Sequence, residues 1–108
     1  MKTSFVWLLA AALLAALAPG VARADENAEA RVLFEQGNRQ MTAASHLHGA
    51  RRTAGLEEAL ESYIASVRIV RSRNAVFNCA AVLQELGRND EAYDYYREYL
   101  AMPDVGAQ

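Results

Sequence analysis

An all-α protein built as two stacked antiparallel helix hairpins, set behind an N-terminal signal segment, is predicted by three observations. Beyond Asp25 apolar residues recur at helical spacing almost without a break. No proline stands between Pro19 and Pro103, and Ala, Leu, Glu, Arg and Gln dominate that stretch. Residues of the same kind also return 33 positions apart, as expected of a chain built from repeated helical units.

The start of the chain is expected to be a secretory signal. Lys2 supplies the positive end, Phe5 to Ala18 is an unbroken apolar run, and Ala22-Arg23-Ala24 closes it with small residues, so cleavage is expected after Ala24. The run is shorter than the roughly 20 residues of a spanning helix. The competing reading is an uncleaved anchor that holds the domain at the inner membrane. The remaining chain carries nine Arg, no Lys and thirteen acids, a formal charge of −4. That balance argues against a nucleic-acid binder, which normally presents a basic face. A single cysteine, Cys79, excludes an internal disulfide, so packing must hold the fold.

Residues 25–103 divide into four expected helices, with 104–108 as a loose tail. The first runs from about Glu26 to the mid-forties on Ala30, Leu33, Phe34, Gly37 and Met41. The second carries the stripe Leu56, Ala59, Leu60, Tyr63, Ile64, Val67 and Val70, with Glu57, Glu58, Glu61 and Arg68 outward. The third opens near Ser72 to Asn74, carries Val76, Phe77, Ala80, Leu83 and Leu86, and stops at Gly87. The fourth opens at the cap-competent Asn89-Asp90 and carries Ala92, Tyr93, Tyr96, Tyr99 and Leu100 up to Pro103.

The second and fourth helices repeat each other at 33 residues: Glu58-Ala59 with Glu91-Ala92, Tyr63 with Tyr96, Val67 with Leu100. The first and third match at 43, aligning Phe34 with Phe77 and Gly37 with Ala80. About ten extra residues are therefore expected within Thr42 to Gly55, read as a tolerated surface loop because insertions in loops cost little.

The segment NAVFNCAAVLQELGRNDEAYDYYREYLAMP resembles a tetratricopeptide repeat, with Ala80 late in one helix, Leu-Gly-Arg at the turn, Glu91-Ala92 opening the next, then Tyr96, Leu100 and Pro103. The preceding unit is similar in its second helix and departs from the pattern in its first. The resemblance, to an exported bacterial member of the family, implies a protein–protein interaction module, a scaffold or adaptor in the cell envelope, which the signal segment places in the periplasm. With no Ser-His-Asp ordering, no Gly-rich phosphate loop and no paired acids with a credible pocket, neither an enzyme nor a cofactor is expected. The resemblance further implies a concave surface on the first helix of each pair. By that mapping Phe77, Ala81, Gln84 and Glu85 line it, with Gln36, Asn38 and Gln40 beside them. Asn78 matches a carboxylate-clamping Asn of some members, but Glu35 stands at the matching place on the first helix, so its expected role is a hydrogen bond to the adjoining helix.

Other side chains are weighed on their own chemistry. Arg51 and Arg52, with His46 and His48, are candidates for a basic lip that meets a partner. Two-residue spacing aims the histidines about 200° apart on a helix and no third ligand is near, so solvated side chains are expected rather than a metal site. Cys79 is expected buried. Arg68 and Arg71 are expected to complement a helix C-terminus. With no further helix to cover it, the fourth helix is expected to leave aromatic surface exposed, and the alternative function is a self-associating structural domain, a homodimer through that helix, with no separate ligand.

Overall fold

The computed structural model describes the backbone of residues 2–103 and the side chains of 24–103. The expected tail, 104–108, lies outside the described residues, and of the expected signal segment only Ala24 has a described side chain. The chain forms four helices, α1 (Lys2–Ser45), α2 (Gly49–Ile69), α3 (Arg73–Glu85) and α4 (Asn89–Ala101). α1 packs on α2 and α3 on α4 as two hairpins, and α2 joins them by packing on α3. Among the described residues no helix is long and apolar enough to cross a membrane.

The first hairpin closes where small residues let large ones in. Gly37 faces the Tyr63 ring so closely that a Cβ there would stand 2.6 Å from Tyr63 Cε1. Phe34 packs on the same ring, centroids 5.7 Å apart. Polar groups buried in the seam are paired, as burial requires: the Ser62 hydroxyl donates to Gln40 Oε1 at 2.6 Å and the Ser66 hydroxyl to the Ala30 carbonyl at 2.7 Å. Leu56, Ala59, Leu60, Tyr63 and Val67 are buried, as the α2 stripe predicts, and Ile64 packs against them.

The second hairpin repeats the arrangement. Phe77 meets Tyr96 at 5.7 Å, as Phe34 meets Tyr63, and touches Tyr99 at 5.1 Å as well. α3 starts on Ser72, whose hydroxyl accepts from the Ala75 amide at 3.2 Å. It ends at Gly87, where φ is +76°. The Gly87 amide donates to the Gln84 carbonyl at 3.0 Å and the Arg88 amide to Leu83 at 2.9 Å, the paired bonds of a glycine-terminated helix. Ala75, Cys79 and Val82 join Val76, Ala80 and Leu83 in the buried face.

Three expectations need correction. Residues 42–55 are not a loop: α1 continues to Ser45 and α2 begins at Gly49, so only three residues connect them. The extra residues lengthen both helices, and α2 has 21 residues where α4 has 13. Alanine and arginine hold helix well enough that the insertion extends the ladder without an apolar stripe of its own. Asn89 does not cap α4; the cap is Arg88, which forms no side-chain cap bond and instead grips the Glu91 carboxylate, Nη2 to Oε1 at 2.9 Å. Tyr93 and Leu100 are exposed, so α4 leaves apolar and aromatic surface uncovered among the described residues, as expected. Arg71 lies beyond the end of α2 and forms a two-pronged ion pair with Glu98 on α4. That pair joins two N–H groups along one guanidinium edge to both carboxylate oxygens, a stronger partner than the terminal carbonyls of a helix.

Candidate partner-binding groove

Between the two hairpins α1 and α3 bound a valley floored by α2. Its open part is a groove of about 580 Å³ beside the N-terminal end of α3. α1 contributes Asn27, Arg31, Glu35 and Asn38, with Ala30 and Phe34 behind them. These residues recur every three or four positions, so they lie along one side of the helix. The end of α2 adds Ser66 and Val70, and the start of α3 adds Ser72 and Asn74. An apolar floor is thus rimmed by three amides, two hydroxyls and one charge of each sign. Amide side chains both donate and accept, and suit the backbone of an extended peptide.

The valley narrows toward its other end. Asn78 Nδ2 donates to Asn38 Oδ1 at 3.4 Å, the inter-helix bond expected of Asn78, and the same oxygen accepts from Tyr63 Oη at 2.6 Å. Burial raises the Tyr63 phenol above its ordinary value, with Asn78 opposing the shift, so the hydroxyl stays a donor at neutral pH. Farther on, Arg52 Nη2 bridges to Glu85 Oε2 at 2.7 Å.

Of the residues expected to contact a partner, Asn38 lines the groove, whereas Phe77, Ala81, Gln84, Glu85, Arg51 and Arg52 do not. Phe77, Ala81, Gln84 and Glu85 do share the outward face of α3 with Asn74, at helical spacing. Three of them are engaged within the chain: Phe77 with the α4 tyrosines, Gln84 accepting from Tyr96 Oη at 2.9 Å, and Glu85 with Arg52. Arg52 therefore ties α2 to α3, while Arg51 is exposed on the next position of α2. The residues missed are Asn27, Arg31 and Asn74. The stripe Asn27, Arg31, Glu35, Asn38, running at steps of four, four and three, was the available signal.

The remaining candidates fall elsewhere. His46 and His48 are exposed in the α1–α2 connection, and the described residues hold no cluster of three or more His, Cys, Asp or Glu with metal-binding geometry. Cys79 is wholly buried in α3, and burial pushes its thiol up to about 11. Compared with protein families, curated proteins and solved structures, the chain matches none.

Proposed function

We propose that this chain is a tetratricopeptide-type binding module rather than an enzyme, exported to the bacterial envelope, whose α1–α3 groove holds an extended segment of a protein partner. The observation that carries the reading is the open, amide-rimmed groove of about 580 Å³ between two stacked hairpins. It has an apolar floor for a side chain and paired donors and acceptors for a backbone, as peptide sites do. The repeated ring contacts, Phe34 on Tyr63 and Phe77 on Tyr96, support the repeat resemblance from packing. The Lys2-led apolar start with its Ala-Arg-Ala end supports export.

The test places a photo-crosslinking residue at Asn74, inside the groove, and at Val32, outside it about 100° round α1 from Arg31, in cells that make the full chain. A discrete protein adduct from position 74 and none from 32 is expected. Equal labelling from both, or adducts with this chain alone, overturns the groove reading. Mass spectrometry of the purified chain checks export separately, since a mature N-terminus at Asp25 is expected and an intact Met1 contradicts cleavage.

A further inference from the structure

The most exposed large apolar side chains are Val32, Tyr93 and Leu100, at 59, 62 and 76%. Their places in the internal repeat explain what those on α4 are for. Moving back 33 residues takes Tyr93 to Leu60 and Leu100 to Val67, and both of these are only 5% exposed. α2 meets α1 on the flank that carries Ser62 and Ser66, whose hydroxyls bond to α1. Leu60 and Val67 stand on its other flank, in the buried cluster that holds Ala75, Cys79 and Val82 of α3. The matching flank of α4 therefore has the shape of a seat for a helix like α3, and none of the described residues covers it.

The other end of the stack is finished differently. At the offset of 43, Ala75, Cys79 and Val82 of α3 correspond to Val32, Gln36 and Arg39 of α1, so the α1 end is polar apart from one valine. Head-to-tail stacking of copies would thus set Tyr93 and Leu100 against glutamine and arginine. Pairing α4 with a second α4 is opposed by charge. Asp90 and Asp94 are exposed beside the apolar edge and form no ion pair among the described residues, and Arg97, next to them, lies toward the Tyr93 ring at 5.8 Å. A two-fold contact would bring four such carboxylates together.

We propose that the Tyr93–Leu100 edge of α4 docks an amphipathic helix of another protein, with small apolar residues spaced as in α3 and Lys or Arg on the flank facing Asp90 and Asp94. The proposal rests on the reading of the chain as a stack of hairpins that binds protein, and it concerns a surface apart from the groove.

The probe is a labelled synthetic peptide of residues 71–88 with alanine in place of the cysteine, which supplies the α3 pattern and ends on Arg88; in the native stack Arg88 lies toward Glu57, 33 residues before Asp90. Fluorescence anisotropy with the purified full chain is expected to show binding that weakens about tenfold or more on Leu100→Asp or Tyr93→Asp. Val32→Asp is expected to leave it unchanged, and a peptide with Arg88→Glu to bind more weakly. Both substituted α4 side chains are exposed, so circular dichroism should be unaltered. Absence of peptide binding, or binding indifferent to Leu100→Asp, overturns the proposal. So does light scattering that shows a dimer dissolved by Leu100→Asp, because the edge then belongs to a second copy. Crosslinks from Asn74 should survive both α4 substitutions, so failure of this surface and failure of the groove are told apart.

Discussion

Gly37 and Tyr63 show how one missing methyl group sets the spacing of a hairpin. Alanine favours helix over glycine by about 1 kcal/mol, so propensity alone makes Gly37→Ala stabilising. The new Cβ would lie 2.6 Å and 2.7 Å from two carbons of a buried ring. That ring is held by Phe34 and by the bond to Asn38, so it has little room to turn. Overpacking of this kind costs about 1–3 kcal/mol, and, less the propensity gain, the net outcome expected in thermal unfolding is destabilisation by up to about 2 kcal/mol. A rise in the midpoint would mean that the hairpin opens without strain. Cys79 gives a second residue-scale test. Its ordinary value is 9.0 and burial takes it to about 11, with Arg71 lowering and Glu98 raising it. Above pH 9 the unfolded chain loses a thiol proton that the folded chain keeps, so the unfolded state binds fewer protons and stability falls as pH rises. This contribution is intact below pH 9 and drains away toward pH 11, amounting to about 2–3 kcal/mol. Burial also raises Tyr63 and Tyr95, which steepens the same slope above their ordinary value of 10.0. Denaturant titrations between pH 8 and 10 should therefore lose their downward slope in Cys79→Ala, and a slope that survives there would assign it to other groups.

At the scale of the element, periodicity was readable wherever one face of a helix is buried and silent where it is not. The α2 stripe from Leu56 to Val67 and the stop at Gly87 were legible because apolar spacing and a positive-φ glycine leave direct marks. Ser62 and Ser66 were not, since nothing in their spacing separates a hydroxyl that faces α1 from one that faces water. The groove was half legible: resemblance pointed to α1 and α3, yet its residues come from the flank of α1 that pattern reading treats as merely polar. The stretch 42–55 misled for the same reason. With Ala44 and Leu47 as its anchors among polar and small residues, it carries too thin a stripe to register, though Ala44 is fully buried. Thr53→Pro separates loop from helix there. Thr53 lies in the second turn of α2, its hydroxyl donating to the Gly49 carbonyl at 3.3 Å, and proline at such a site costs about 3 kcal/mol or more. A fall in the unfolding midpoint of that size is expected, whereas a surface loop would absorb the change with almost none. Arg52→Ala, which breaks an ion pair at the surface, should shift it by about 1 kcal/mol at most.

For the whole molecule the decisive property is that its two ends differ. In a stack of helical hairpins each unit is stabilised by its neighbours, so an end that is neither polar nor covered leaves stabilisation unused. The α1 end presents Gln36 and Arg39 where the interior has Cys79 and Val82, while the α4 end presents Tyr93 and Leu100 where the interior has Leu60 and Val67. This asymmetry predicts what lengthening the stack does. Replacing residues 104–108 by a second copy of residues 71–103 continues the 33-residue register directly, and gives the original α4 a new α3 to pack against. The midpoint of thermal unfolding should rise, by about 4 °C or more for each kcal/mol gained in a domain of this size. Leu100→Asp in the inner copy should cancel the gain, and the same change in the outer copy should leave it intact, because only the inner leucine becomes interfacial. An extended chain no more stable than the original, or one indifferent to which copy carries the aspartate, would show that the exposed edge of α4 is ordinary surface rather than an unfilled helix seat.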